Sequence, residues 1–286
     1  MLRMVPRPRL TIVTGCSSNH FASQIQFLDS VRQFDKGQIR LVVYDLGLNP
    51  GEFNRLKQLF PTTKGFASDE PKVIYRRFDY SLYPPHVNIA IKAGQYAWKP
   101  IIIHEVCQKY SGLVCWMDAG NKIVPKVSTV SSRVVPVVPA AAGFAYDGKA
   151  PMVSSLINPL DRLINVIKHC KLYSPLSAGN IRRWTHPGTL RSLDYRGSQL
   201  LPNRNAACVG VNCNYMWVRE IIDQWRKCAL NVNCIAPPGS NRANHRQDQA
   251  VLTVLFYQYH ERYKFPIINN LIGVTLHNDV GPFMRR

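Results

Sequence analysis

Over the first 125 residues, short unbroken apolar runs alternate with segments whose apolar residues recur at helical spacing. The runs RLTIVTG, IRLVVYDLGL, KVIYRRFDY and LVCWM read as strands, and the last has the continuous apolar character of a strand buried on both faces. IQFLDSVRQF places Ile25, Leu28, Val31 and, less regularly, Phe34 on one helical face. NPGEFNRLKQLF opens as a helix should, with Asn49 as cap, Pro50 in the first turn and Glu52 placed to reach back to the cap. WKPIIIHEVCQKY is a further helix that tolerates Pro100 in its first turn. This alternation predicts right-handed βαβ units and a mainly parallel sheet. Open sheets of that kind bind ligands beyond the carboxyl ends of their strands, where Ser17, Asp45, Asp79 and Asp118 all fall.

The texture changes from residue 126. VPKVSTVSSRVVPVVPAAAG, rich in proline and β-branched residues, predicts irregular strands, and residues 174–207 have the Gly, Pro, Ser, Asn and Arg content of a long working loop. AACVGVNCNYMW resumes strand character. WVREIIDQWRKCAL is an amphipathic helix with Trp217, Ile221, Ile222 and Trp225 on one face. HRQDQAVLTVLFYQYH is a second helix, apolar enough to be buried. No internal repeat and no clean break occurs, so the expected organisation is one α/β domain over residues 1–286, with a nucleotide-type half at 10–125 and a mixed half at 126–286.

Composition narrows this picture. The chain of 286 residues is 46% hydrophobic and 19% charged, which excludes a disordered protein. No apolar stretch approaches the ~20 residues of a membrane-spanning helix. The basic N-terminus MLRMVPRPRL lacks a signal-peptide core, so the chain is expected to be soluble as made or the soluble part of an anchored protein. Lys and Arg outnumber Asp and Glu by 36 to 17, a surplus that favours phosphorylated or acidic partners. The charge is spread without a long block or a recognised module, which ranks a nucleic-acid-binding reading last. Of the eight cysteines, Cys16, Cys107 and Cys115 read as small buried hydrophobes, and Cys208 and Cys213 point to opposite faces of one strand. Cys228 and Cys234 bracket a short loop and are placed to close a disulfide, and no C-x-x-C zinc pattern is present.

Candidate chemistry centres on Asp118. A carboxylate at the tip of a buried strand serves as a divalent-metal ligand, as a catalytic acid or base, or as a helix cap. Asn121, Lys122, Ile123 and Val124 look like a further strand, which leaves no helix to cap and favours function. Gly15 to Asn19 form a small polar turn that is equally a binding loop or a plain connection, and no G-x-G-x-x-G or Walker pattern is present. Lys99 is placed to neutralise a leaving diphosphate, although a solvated lysine is the default expectation. Asp248, with Gln249 in the first turn of its helix, is either a dipole-stabilising carboxylate or a general base. His186, His245 and His277 lie in loop-like settings, His277 after a last strand.

The segments TIVTGCSSNHF, LVVYDLGL, RRFDYSLYPPHV, YAWKPIIIHEV, WMDAGN, CALNVNCIAPPGS and HRQDQAVL together resemble the GT-A class of nucleotide-sugar glycosyltransferases. Within it the chain is most similar to an animal family of glycosyltransferase-like proteins, abundant in nematodes and catalogued as a domain of unknown function. The resemblance covers residues 10–260, and the pairing of CIAPPGS with HRQDQ is its most specific part. It implies a GT-A-like mainly parallel sheet flanked by helices, a luminal Golgi or ER catalytic domain behind an anchor, and cytoplasmic residence if the chain is complete as given. It also implies a UDP-sugar as donor and a glycan or glycoprotein as acceptor, and the basic surplus suits an acidic acceptor. Asp118 aligns with the first acid of the class's D-x-D motif, which binds Mn²⁺ or Mg²⁺ together with the donor diphosphate. Gly120 stands where the second acid is usual, so Asn121 or His277 completes the coordination or basic residues replace the metal. By the same carry-over, Thr14 and Ser17 lie near the base and ribose with Asp45 nearby, Lys99 faces phosphate, and Asp248 faces the acceptor as general base. The alternative within this fold is a non-catalytic nucleotide or sugar binder.

Overall fold

A computed structural model describes residues 9–66, 71–128 and 158–280. The first half runs β1 (Leu10–Cys16), α1 (Phe21–Phe34), β2 (Ile39–Asp45), α2 (Pro50–Leu59), β3 (Val73–Arg77), α3 (Trp98–Lys109), β4 (Leu113–Met117) and β5 (Lys122–Ser128). After residue 157 come α4 (Pro159–Cys170), β6 (Leu172–Tyr173), β7 (Leu176–Asn180), α5 (Ile181–Trp184), α6 (Pro187–Ser192), β8 (Pro202–Arg204) and β9 (Cys208–Asn212). The chain finishes with α7 (Met216–Leu230), α8 (Val232–Ile235), α9 (Gln247–Tyr263) and β10 (Leu271–Thr275).

Six strands form the central sheet in the order β3-β2-β1-β4-β9-β6. β1 to β4 are mutually parallel, whereas β9 runs antiparallel to both β4 and β6. The order reverses between β1 and β4, so a crevice opens at the carboxyl ends of those two strands. The mainly parallel, helix-flanked architecture expected from the sequence is present. β5 pairs antiparallel with β10, and β7 with β8, in two small sheets.

Continuous apolar runs are what a sheet covered on both faces demands. Val114 and Trp116 of β4 pack with Val13 and Val42 under α3, α7 and α9. Leu113, Cys115 and Met117 face the other way, with Ile12 and Val43, under α1, α2 and α4. The α2 cap forms as its sequence predicts: the Asn49 carboxamide accepts from the Glu52 amide at 2.9 Å, and the Glu52 carboxylate accepts from the Asn49 amide at 3.0 Å.

Two expectations need correction, and a third falls elsewhere. Residues 174–207 are not a long loop but contain β7, α5, α6 and β8. Their polar residues serve as caps of short elements: Asn180 accepts from the Arg183 amide at 3.0 Å and starts α5, while the His186 ring accepts from Gly188 at the start of α6. Cys107 is not a free buried hydrophobe but is disulfide-bonded to Cys213, 106 positions away. The pairing of β4 with β9 brings the end of β9 beside α3, a juxtaposition local pattern does not encode. Cys208 and Cys213 do not pair, and Cys228–Cys234 is closed as anticipated. The irregular strands expected over residues 124–143 fall mostly on 129–143, outside the described residues.

Candidate functional site

Beyond the tips of β1 and β4 lies a cavity of about 460 Å³. On its strand-tip side stand Gly15, His20, Asp118 to Asn121, His277 and Asp279; on its helical side stand Tyr96, Trp184, Arg242, Arg246 and Asp248. Lys99 connects the two sides.

Asp118 ends β4 in a turn fixed by its backbone. Its amide donates to Ala207 at 2.9 Å, its carbonyl accepts from the Asn121 amide at 3.0 Å, and the Asn121 carboxamide also donates to Ala207 at 2.7 Å. The chain continues into β5, so Asp118 caps no helix. Its carboxylate accepts from the Trp116 indole at 2.5 Å and lies 3.0 Å from the Lys99 ammonium.

Lys99 departs furthest from the expectation of a solvated lysine: it is 3% exposed. Its ammonium lies 3.0 Å from Asp118 and 3.0 Å from Asp248, and donates to the Ala206 carbonyl at 3.2 Å. Burial works against the charge, but the two carboxylates outweigh it and raise the Lys99 pKa above its ordinary value. Asp248, in the first turn of α9, is itself buried, and burial raises its pKa; Lys99 opposes the rise and the charge of Asp118 adds to it. One cation thus ties a carboxylate from the tip of β4 to one from α9.

The other expected residues are distributed unevenly. His277 lines the cavity with a left-handed backbone, φ +58°. Thr14, Ser17 and Asp45 lie outside the cavity wall. Thr14 is buried and donates to Gln24 at 3.1 Å; Ser17 donates to Asn19 at 2.6 Å. Asp45 is buried beneath its own turn, accepting from the amides of Gly47 and Leu48 at 2.9 and 2.7 Å and from Arg77 at 2.9 Å. Asp79 holds a neighbouring turn through Ser81. His245 is a core residue whose ring meets the Ile235 carbonyl at 2.9 Å and accepts from the His186 amide at 3.2 Å.

Sequence reasoning missed Asp279 and the aromatic and arginine residues of the helical side. A Cβ on Gly120 would fall 2.4 Å from Oδ1 of Asp279 and 2.7 Å from its Cγ, so that carboxylate fills the volume a side chain at 120 would take. The segment is pinned by the Asn278 amide donating to Gly120 at 2.6 Å and the Val280 amide donating to Ser23 at 3.0 Å, and His20 stands 3.3 Å from Asp279. Only the contiguity of Asp279 with His277, in LHNDVG, hinted at this. Tyr96 is presented by an unusual turn: Lys92, Ala93, Gly94, Gln95 and Tyr96 all have φ between 47° and 61°. A left-handed conformation costs non-glycine residues about 1–2 kcal/mol each, strain that tends to collect at functional sites.

Residues 6–104 match a family described as a protein of unknown function, DUF1647. No curated protein matches the sequence. Among solved structures, the galactosyltransferase LgtC in complex with donor and acceptor sugar analogues is 13% identical at a TM-score of 0.47, over 95% of this chain and 87% of that one. The apo form of mouse xyloside xylosyltransferase 1 is 12% identical at 0.46, over 92% and 84%. The apo bifunctional glycosyltransferase WbbM is 11% identical at 0.45, over 94% of this chain and 39% of that one.

Proposed function

We propose that the protein is a glycosyltransferase that moves a sugar from a nucleotide-sugar donor, a UDP-sugar, to a glycan. The observation that carries this reading is the buried Lys99 held between Asp118 and Asp248 in the wall of a cavity at the switch point of a parallel sheet. The GT-A resemblance of the sequence supports it, and the two disulfides suit a secretory lumen. No helix among the described residues is long and apolar enough to cross a membrane.

Sugar transfer separates a nucleoside diphosphate from the anomeric carbon, so negative charge grows on the leaving group. In this reading the diphosphate lies along the strand-tip side. Among the described residues no three His, Cys, Asp or Glu converge on one point. Asp118, Asp279 and His277 nevertheless border the same side of the cavity, and the Asp279 carboxylate fills the cradle left by Gly120. Asp118 would be the protein ligand of a Mn²⁺ or Mg²⁺ that takes its other ligands from substrate phosphates and water. When bound, the ion would neutralise the departing diphosphate. Lys99, 3.0 Å away, fixes the orientation of the Asp118 carboxylate together with the Trp116 indole. Asp248, with its pKa raised by burial, is matched to accept the proton of the acceptor hydroxyl.

Calorimetric titration of UDP with and without Mn²⁺, together with a screen of nucleotide sugars for donor hydrolysis, tests the proposal. Hydrolysis that disappears in Asp118→Ala supports it; silence towards UDP, GDP and ATP alike in both metal conditions refutes it. Gly120 at the second-acid position favours one alternative, a binder that retains nucleotide affinity without turnover, and UDP binding without hydrolysis of any donor would select it.

A further inference from the structure

We propose that Arg242 and Arg246 in the cavity wall, with Arg183 stacked on the Trp184 ring beside them, form a subsite for a carboxylate or sulfate of the acceptor, so that the acceptor is an anionic glycan. The inference rests on the transferase reading and specifies its acceptor. The guanidinium carbon of Arg246 lies 4.1 Å from the centre of the Trp184 ring and that of Arg183 4.9 Å from it. The guanidinium carbon of Arg242 lies 5.3 Å from the Tyr96 ring, and its Nη1 donates to the Tyr96 hydroxyl at 2.8 Å. Among the described residues no carboxylate stands within ion-pair distance of these three arginines. Aromatic faces fix a guanidinium without cancelling its charge. Three cations arranged this way are oriented, uncompensated, and short of the partner that planar, bidentate donors match best. Their mutual pressure is visible at Arg246, whose pKa is lowered by burial and then by the charges of Arg242 and Arg183.

Position separates this subsite from the donor. The strand-tip side carries Asp118, Gly120 and Asp279, where the reading above places the diphosphate. Arg246 precedes the buried Asp248 by two residues, its amide donates to the Trp184 carbonyl at 3.0 Å, and Tyr96 reaches the cavity from the left-handed turn before α3. Arg242 and Arg246 thus enter the cavity wall from the approach to α9, the helix that carries Asp248, and not from the strand tips, and the proposal assigns the acceptor to that approach.

The test is calorimetry in about 150 mM salt, where long-range attraction is screened. The probes are an unsulfated glucuronate-containing chondroitin disaccharide, its sulfated counterpart, and neutral N-acetyllactosamine, each run beside UDP. The wild-type protein is expected to prefer an acidic disaccharide over the neutral one by about tenfold or more, and Arg242→Ala and Arg246→Ala each to lose about tenfold of that affinity while UDP affinity is retained. Arg242 is exposed, so Arg242→Glu repeats the test by charge reversal without disturbing the fold. Equal binding of acidic and neutral sugars, or no binding of either acidic one, overturns the proposal. A parallel loss of UDP affinity also overturns it, because the arginines then hold the donor diphosphate. Equal loss of acidic-disaccharide affinity in Lys57→Ala/Lys109→Ala, whose lysines are exposed away from the cavity, reduces the effect to net charge and overturns it as well. Arginine-dependent binding of an acidic disaccharide in a protein that ignores UDP upholds the subsite and refutes the transferase reading.

Discussion

Replacing Lys99 by methionine keeps most of the side-chain volume and removes the charge that two carboxylates share. Asp248 is buried, with its side chain 7% exposed, while that of Asp118 is 35% exposed. Breaking a buried ion pair by deleting one partner costs about 3–5 kcal/mol. The Asp118 share is screened by water, which places Lys99→Met at about 3 kcal/mol near neutral pH. For a chain of this size that is a fall in Tm of about 6 °C. The deficit depends on pH with a definite sign. The folded-state pKa of Asp248 is raised by burial, so between the ordinary carboxylate value of about 4 and its own pKa the folded protein holds a proton the unfolded chain releases. Stability from this group therefore falls as pH rises through that window, and losing Lys99 widens the window upward. Lys99, whose own pKa is raised, contributes stability that is fully present below its unfolded value of about 10.4. Thermal unfolding followed by circular dichroism should show a larger deficit at about pH 7.5 than at about pH 5. Lys99→Met/Asp248→Asn, which removes both charges, should recover most of the loss. A fall of less than about 2 °C that is identical at both pH values, with no recovery in the double variant, would refute the buried triad.

Gly120→Asp should conflict with Asp279 and lower Mn²⁺-dependent UDP affinity in calorimetry, and Gly120→Asp/Asp279→Gly, which moves the acid back along the chain, should restore it. Loop-closure entropy makes the Cys107–Cys213 link, across 106 positions, worth about 5 kcal/mol and Cys228–Cys234, across 6, about 2 kcal/mol, so Ala pairs at the two sites should differ in unfolding free energy in that order. His245 is held neutral, its pKa lowered to about 4 chiefly by burial, so its contribution is present above its unfolded value of about 6.5 and lost as pH falls towards 4. Urea unfolding should register a loss of about 2 kcal/mol between pH 7 and pH 5 that His245→Asn abolishes.

The strands, the α2 capping box and the position of Asp118 were legible because each is local. A doubly covered strand must be apolar throughout, and Asn49, Pro50 and Glu52 satisfy one another within four residues. The environment of Lys99 was not legible. Its exposure is decided by Asp118, 19 positions on, and Asp248, 149 positions on, and without those carboxylates a buried lysine would have no justification. Asp45 shows the opposite error: a strand-end acid that looked ready for a ligand is consumed by its own turn and Arg77. The arginine and aromatic cluster joins Tyr96, Trp184 and Arg246, distant in sequence, so no contiguous basic stripe announced it.

Lys99 arises on α3, Asp118 just past β4 and Asp248 on α9, so this contact in the cavity wall also fastens the second half of the chain to the first. A carboxylate with a burial-raised pKa is a poor stabiliser and a good proton acceptor, and the lysine that makes its burial tolerable also holds Asp118 in place at 3.0 Å. On the proposed transferase reading, function and stability are therefore coupled at one ammonium group. The arginine cluster lies outside that coupling: its members are held by aromatic faces, and Arg183 and Arg242 are exposed. Changes there alter the charge presented to a ligand without uncovering a buried ion. If the arginines bind the acceptor as proposed, its specificity can vary there while the Lys99 triad stays fixed, because the triad, unlike the arginines, carries the cost of an unpaired charge in the core.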